Sequence, residues 1–157
     1  MLSYNRPNTL QSYQSTEINT ANRLKVLIML YEGAVRFTKR AIEAINEGKI
    51  AVKGEMISKT LAIVGELQST LDHSHAPELA SNLDRLYTFI QDRLKEGNVN
   101  NDAAALEDAL KIIKVLHSAW VELSKKSNAE LAVNGQKPVA KEETKKANAS
   151  NYFQISV

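Results

Sequence analysis

The chain has 157 residues, 43% apolar and 24% charged, with a formal charge of +2 at neutral pH. That length suits one domain with a sizeable core, and so small a net charge gives no ground for a nucleic-acid partner. No cysteine is present, which excludes a disulfide framework and a thiolate metal site, and six glycines with three prolines favour long helices over turn-rich sheet.

Residues 1–19 are polar, with Pro7 and scattered apolar residues that follow no helical period. They read as a flexible N-terminal arm, in which Tyr13 and Ile18 are the side chains able to dock. The same stretch has no apolar core of the kind a secretory signal needs.

A first helix is expected from Asn19 or Thr20, either of which can cap free N–H groups, to Glu47, where Gly48 suits a left-handed residue after the last turn. Leu24, Leu27, Ile28, Tyr31, Val35, Ile42 and Ile45 recur at helical spacing and make one apolar stripe. Gly33 interrupts it at a cost of about 1 kcal/mol relative to alanine, so another backbone is expected to pass close there. A second helix is expected over 50–71. It has one stripe at Ile50, Ile57, Leu61, Val64 and Leu71 and another at Met56, Ile63 and Leu67. Two faces exceed what one bundle seam requires, so the second face is either core or is shared with another chain.

Asp72-His73-Ser74-His75-Ala76 is a link, and Pro77 fits the first turn of a third helix carrying Leu79, Leu83, Leu86, Ile90 and Leu94, with Tyr87 and Phe89 beside them. That helix is expected to stop near Gly97. Asp102 can cap a fourth, with Leu106, Leu110, Ile113, Leu116 or His117, Trp120 and Leu123, ending near Lys125 and Lys126. From 128 on the period fails, and Gln136–Ser150 cannot build a core, so a disordered C-terminal tail is expected, with an apolar end at Tyr152, Phe153, Ile155 and Val157. Short links between rods of matched length predict an all-α chain folded as an antiparallel up-down four-helix bundle over 20–127, between an arm at 1–19 and a tail at 128–157. No run approaches about 18 apolar residues without a charge, so no membrane insertion is expected.

Catalytic templates fail. Paired carboxylates occur only as surface helix residues with no histidine at Glu-x-x-His spacing, and no phosphate loop or nucleophile elbow is present. His73 and His75 lack a third ligand and read as exposed polar residues, so neither a metal nor a cofactor is expected. A histidine phosphotransfer bundle is the alternative class. Its one mid-helix candidate, His117, falls in or beside the core stripe, without the expected basic and glycine residues after it.

Thr20-Ala21 followed by the run Leu27-Ile28-Met29-Leu30-Tyr31-Glu32-Gly33-Ala34-Val35-Arg36-Phe37 resembles the opening of the FliS family of flagellar secretion chaperones. Tyr13-Gln14 and Ile18 upstream, and Glu66-Leu67, Leu71-Asp72, Asn82-Leu83, Leu86-Tyr87 and Ala119-Trp120 downstream, follow in the family's order. The chain departs from the family at Asn22-Arg23-Leu24-Lys25, where the family has a Ser-Pro-Glu cap, and at Leu10, where it has a tyrosine. The resemblance implies a non-enzymatic, cytoplasmic chaperone that binds the disordered C-terminal segment of flagellin, blocks early polymerisation and aids type III export. It leaves open whether other flagellar regulatory or export proteins also bind. From the two-faced pattern, Met56, Ile63, Leu67, Leu83, Tyr87 and Ile90 are the candidate client contacts. The family's N-terminal segment covers part of the flagellin site, which implies a cap at Tyr13 and Ile18.

Overall fold

The computed structural model describes residues 9–134. They form four α-helices and no strand: α1 Thr9–Asn46, α2 Ile50–Ser69, α3 Pro77–Asn100 and α4 Ala103–Asn134. The described residues are all-α, as expected. Each helix packs on two others, in the ring α1–α2–α3–α4 and back to α1. Paired residues give the directions. Thr38 faces Thr60 and Gly33 faces Ile63; Lys53 reaches Asn98 while Gln68 reaches Asp84; Gly97 meets Leu106 while Arg93 meets Asp108. In every pair one number rises as the other falls, so neighbouring helices run antiparallel.

The outer ends of α1 and α4 differ from expectation. Helix α1 begins at Thr9, not at Asn19 or Thr20, so much of the expected arm is helical. Pattern reading missed it because those turns have no apolar stripe. They contain no proline or glycine, and the hydroxyls of Thr16 and Thr20 donate to the carbonyls of Ser12 and Thr16, each 2.9 Å away, so polar side chains are satisfied within the helix. Helix α4 runs on past Lys126 to Asn134 through Ala129, Glu130, Leu131 and Ala132, which are good helix formers. The rest of the expected tail, residues 135–157, lies outside the described residues.

Other local signals hold. Gly48 takes φ +71°, and the Lys49 N–H closes the turn onto the Ala44 carbonyl. Pro77 opens α3, and Asp102 Oδ1 accepts from the N–H groups of Ala104 and Ala105 at 2.9 and 3.3 Å. Helix α3 stops at Asn101, which is left-handed at φ 51°, rather than at Gly97. Gly97 has another use: a Cβ there would lie 2.5 Å from Leu106 Cδ2 and 3.1 Å from the Asp102 carbonyl oxygen, so its bare backbone lets α4 start against α3. At Gly33 the approaching group is a side chain and not a backbone, since a Cβ there would meet Ile63 Cδ1 at 3.4 Å.

The core holds Tyr31, Ile57, Val64, Ile90, Leu94, Leu106 and Ile113. Full burial of such side chains stabilises by about 1.5–3 kcal/mol each. Its polar groups are paired. The hydroxyls of Tyr31 and Tyr87 are 2.6 Å apart across the diagonal of the bundle, and the Trp120 indole lies beside the Tyr31 hydroxyl. Lys53, also buried, donates to the Asn98 carbonyl at 2.7 Å and to Asn101 Oδ1, tying the start of α2 to the end of α3.

Candidate binding surface

The six sequence candidates divide by position. Leu67, Leu83, Tyr87 and Ile90 are buried in the core. Met56 and Ile63 are half-buried at its edge, on the α2 face turned toward α1. In this structure a partner can touch only the last two. The reason is geometric: positions 60, 64 and 67 of α2 and 83, 87 and 90 of α3 point down the bundle axis, and an apolar period alone does not say which side of a stripe faces inward.

Two outer seams carry apolar side chains that no helix among the described residues covers. On the first, between α1 and α2, Ile63 packs over Gly33 and Phe37 lies beside it. Met56 is one helical turn before Lys59, whose Nζ sits 5.3 Å from the Phe37 ring centroid; the Arg36 guanidinium lies 6.0 Å from the same ring. Toward the N-terminus this face of α1 continues into Val26 and Met29, which are 57% and 59% exposed. The seam is therefore apolar with a basic rim.

The second seam lies between α3 and α4. Arg93 of α3 bridges to Asp108 of α4 at 2.8 Å and to Glu96 at 2.6 Å. One and two turns before Arg93 come Phe89 and Leu86; one and two turns after Asp108 come Ile112 and Val115. Leu86 and Ile112 are half-buried against the core, while Phe89 and Val115 are 45% and 60% exposed. Leu79 extends the strip toward the start of α3 and is also exposed. Sequence reasoning placed Phe89 beside the main stripe and passed over Met29 and Val115. Their signal is an apolar residue well off the core direction of its own helix.

Polar groups near these seams do little chemistry. His117 is 26% exposed in the cleft between α4 and α1, with Nε2 3.6 Å from Glu32 Oε1, beyond hydrogen-bond range. It shares an open depression with Val35, Arg36 and Lys114. A phosphotransfer histidine would stand on an open helix face, and this one is turned into a cleft against a carboxylate. In the link, the Asp72 carboxylate accepts from the Ser74 hydroxyl and amide and pairs with His75 Nδ1, contacts that hold its pKa well below the usual carboxylate range. Burial raises the pKa of both Tyr31 and Tyr87, and the neighbouring Tyr31 raises Tyr87 further. Tyr13 and Ile18 lie on helical backbone in α1, and their side chains fall outside the described residues.

Comparison with known proteins adds to this geometry. The family model described as flagellar protein FliS matches residues 6–127. The flagellar secretion chaperone FliS of Vibrio cholerae is 33% identical over 119 residues, covering 73% of this chain and 88% of that protein. FliSB of Pseudomonas aeruginosa, also a flagellar secretion chaperone, is 32% identical over 69% of this chain and 86% of its own length. FliS of Salmonella typhimurium is 31% identical over 71% of this chain and 83% of its own length.

Proposed function

Since the chain belongs to the FliS family of flagellar proteins, we propose that it is an export chaperone acting in the cytoplasm on the C-terminal segment of flagellin, kept there from polymerising before type III secretion. The supporting observation is the pair of uncovered apolar seams, where Met29, Phe89 and Val115 stand about half exposed or more on helices whose core faces are already filled. Large exposed apolar side chains aligned along a seam between two helices are the surface on which an amphipathic segment folds as a helix.

The client is read as an extended partner that touches both seams. Folding a disordered segment on binding costs about 2–5 kcal/mol of the interaction, so a single half-buried pair such as Met56 and Ile63 is too little. The basic rim at Arg36 and Lys59 favours a client strip with carboxylates beside its apolar residues. Tyr13 and Ile18, on the helix that leads into the first seam, are proposed to cover part of it when no client is present, which requires the first turns of α1 to unwind and fold back. Being tethered, they compete at high effective concentration.

Co-purification with flagellin tests the reading. Full-length flagellin is expected to co-elute with this chain, and flagellin lacking its C-terminal segment is not. Equal retention of both would refute the assignment. A chain without residues 1–17 that binds flagellin no more tightly, with its helix content intact by circular dichroism, would remove the cap.

A further inference from the structure

Helix α4 forms one wall of the α3–α4 seam and no wall of the other. Seventeen residues, 135–151, separate its end from the apolar run Tyr152-Phe153-Gln154-Ile155-Ser156-Val157. From Asn134 back to Val115 is 19 residues of helix, about 28 Å at 1.5 Å per residue. Seventeen residues reach about 58 Å at full stretch, so the run can lie along Leu79, Leu86, Phe89 and Val115. Charge selects the same seam. The connecting residues hold Lys137, Lys141, Lys145 and Lys146 against Glu142 and Glu143, a net +2. The α1–α2 seam is rimmed by Arg36 and Lys59; at the α3–α4 seam Arg93 is already paired with Glu96 and Asp108, and Glu78 stands in the first turn of α3, at the end nearest the α4 terminus.

We propose that residues 152–157 dock in cis on the α3–α4 seam, with Phe153 and Ile155 covering Phe89 and Val115. The alternation of Tyr152, Gln154 and Ser156 with Phe153, Ile155 and Val157 puts three apolar side chains on one side of an extended strand. Such a strand matches a shallow strip between two helices. The docking itself needs no client; its consequence, that this segment competes with the client for the second seam, rests on the function proposed above.

The absence of cysteine makes a clean test possible in the full chain. A nitroxide attached through Ser150→Cys should broaden backbone amide signals by proximity. Signals around Leu86–Phe89 and Val115–Ala119 are expected to lose more than half their intensity, while those around Met29 and Phe37 keep theirs. Adding Phe153→Asp, or separately Val115→Asp, should restore the lost intensity. Broadening centred on Met29 and Phe37, even broadening over the surface, or none at all would overturn the proposal. So would the same broadening in a mixture of spin-labelled chain without isotope and isotope-labelled chain without the nitroxide, because the occupant would then be a second copy. Because no flagellin is present, failure here leaves the client assignment standing, and failure of flagellin co-purification leaves this result standing.

Discussion

The two ends of the bundle are built differently. At one end α1 turns into α2 at Gly48, Lys53 pins α2 to the end of α3, and α4 starts hard against Gly97 under the Asp102 cap. At the other end the helices are uneven. Extending the Gly33–Ile63 pairing puts the last turn of α2 level with about Met29, and the Arg93–Asp108 pairing puts Pro77 level with about Lys125. Beyond those levels α1 and α4 continue with no α2 or α3 beside them. The closed end supplies rigidity, and the uneven end supplies the exposed Val26 and Met29. Stability and binding are thus separated along the bundle axis, and substitutions can test the separation.

The largest effect is expected at the closed end. Gly97→Val places methyl groups where Leu106 and the Asp102 carbonyl already sit, and overpacking of this kind should cost about 3 kcal/mol. Urea unfolding followed by circular dichroism reads it directly. A variant as stable as the parent would mean that the start of α4 yields easily and that this end is not rigid. Lys53→Ala comes next. It leaves the Asn98 carbonyl and the Asn101 amide oxygen without their buried donor and should cost about 2 kcal/mol. Its hydrogen-exchange signature should be local, with protection lost first at the end of α3.

The middle of the bundle gives a pH-dependent test. Tyr31 and Tyr87 both titrate above their ordinary value of 10.0 when folded. The folded state therefore keeps protons that the unfolded chain releases. Their contribution is complete below pH 10 and falls as pH rises above it, by about 1.4 kcal/mol per tyrosine for each pH unit. The denaturation midpoint of the parent should drop between pH 9 and pH 11 more steeply than that of the Tyr31→Phe, Tyr87→Phe double variant. Parallel slopes would show that the pair does not set the alkaline limit.

Much of this was legible beforehand, and the reasons differ by residue. The α1, α3 and α4 stripes, Gly48, Pro77 and Asp102 are local signals, and they placed four helices and three of their boundaries. Thr9–Thr20 was not legible, because a helix outside the core needs no apolar period. Of the six candidate contacts, only Met56 and Ile63 lie where a partner can reach them. Leu67, Leu83, Tyr87 and Ile90 share their helices' apolar pattern, yet packing, which the pattern does not contain, turned them inward. Phe89 and Val115 were hidden for the opposite reason, since an apolar residue off the stripe looks like noise until a neighbouring helix is placed beside it.

The smallest effect on stability, and the one that separates the two ends most sharply, is expected from Met29→Asp. The side chain is 59% exposed and lies about level with the end of α2, so little burial is lost. Stability should change by no more than about 0.5 kcal/mol, as for other surface substitutions. A carboxylate in an apolar strip has a different effect on a partner that must dry that strip to bind. Leaving a charge buried and unpaired in an interface typically costs about 2–5 kcal/mol, equivalent to a thirtyfold or greater loss of affinity for the client segment. The basic rim sharpens the comparison, because Arg36 is two turns along α1 and can partly pair with the new carboxylate. Met29→Asp with Arg36→Gln should therefore bind the client more weakly than either single variant. Measured by titration calorimetry against a peptide of the flagellin C-terminal segment, undiminished binding by Met29→Asp would move the client off the first seam and leave the α3–α4 side as its site.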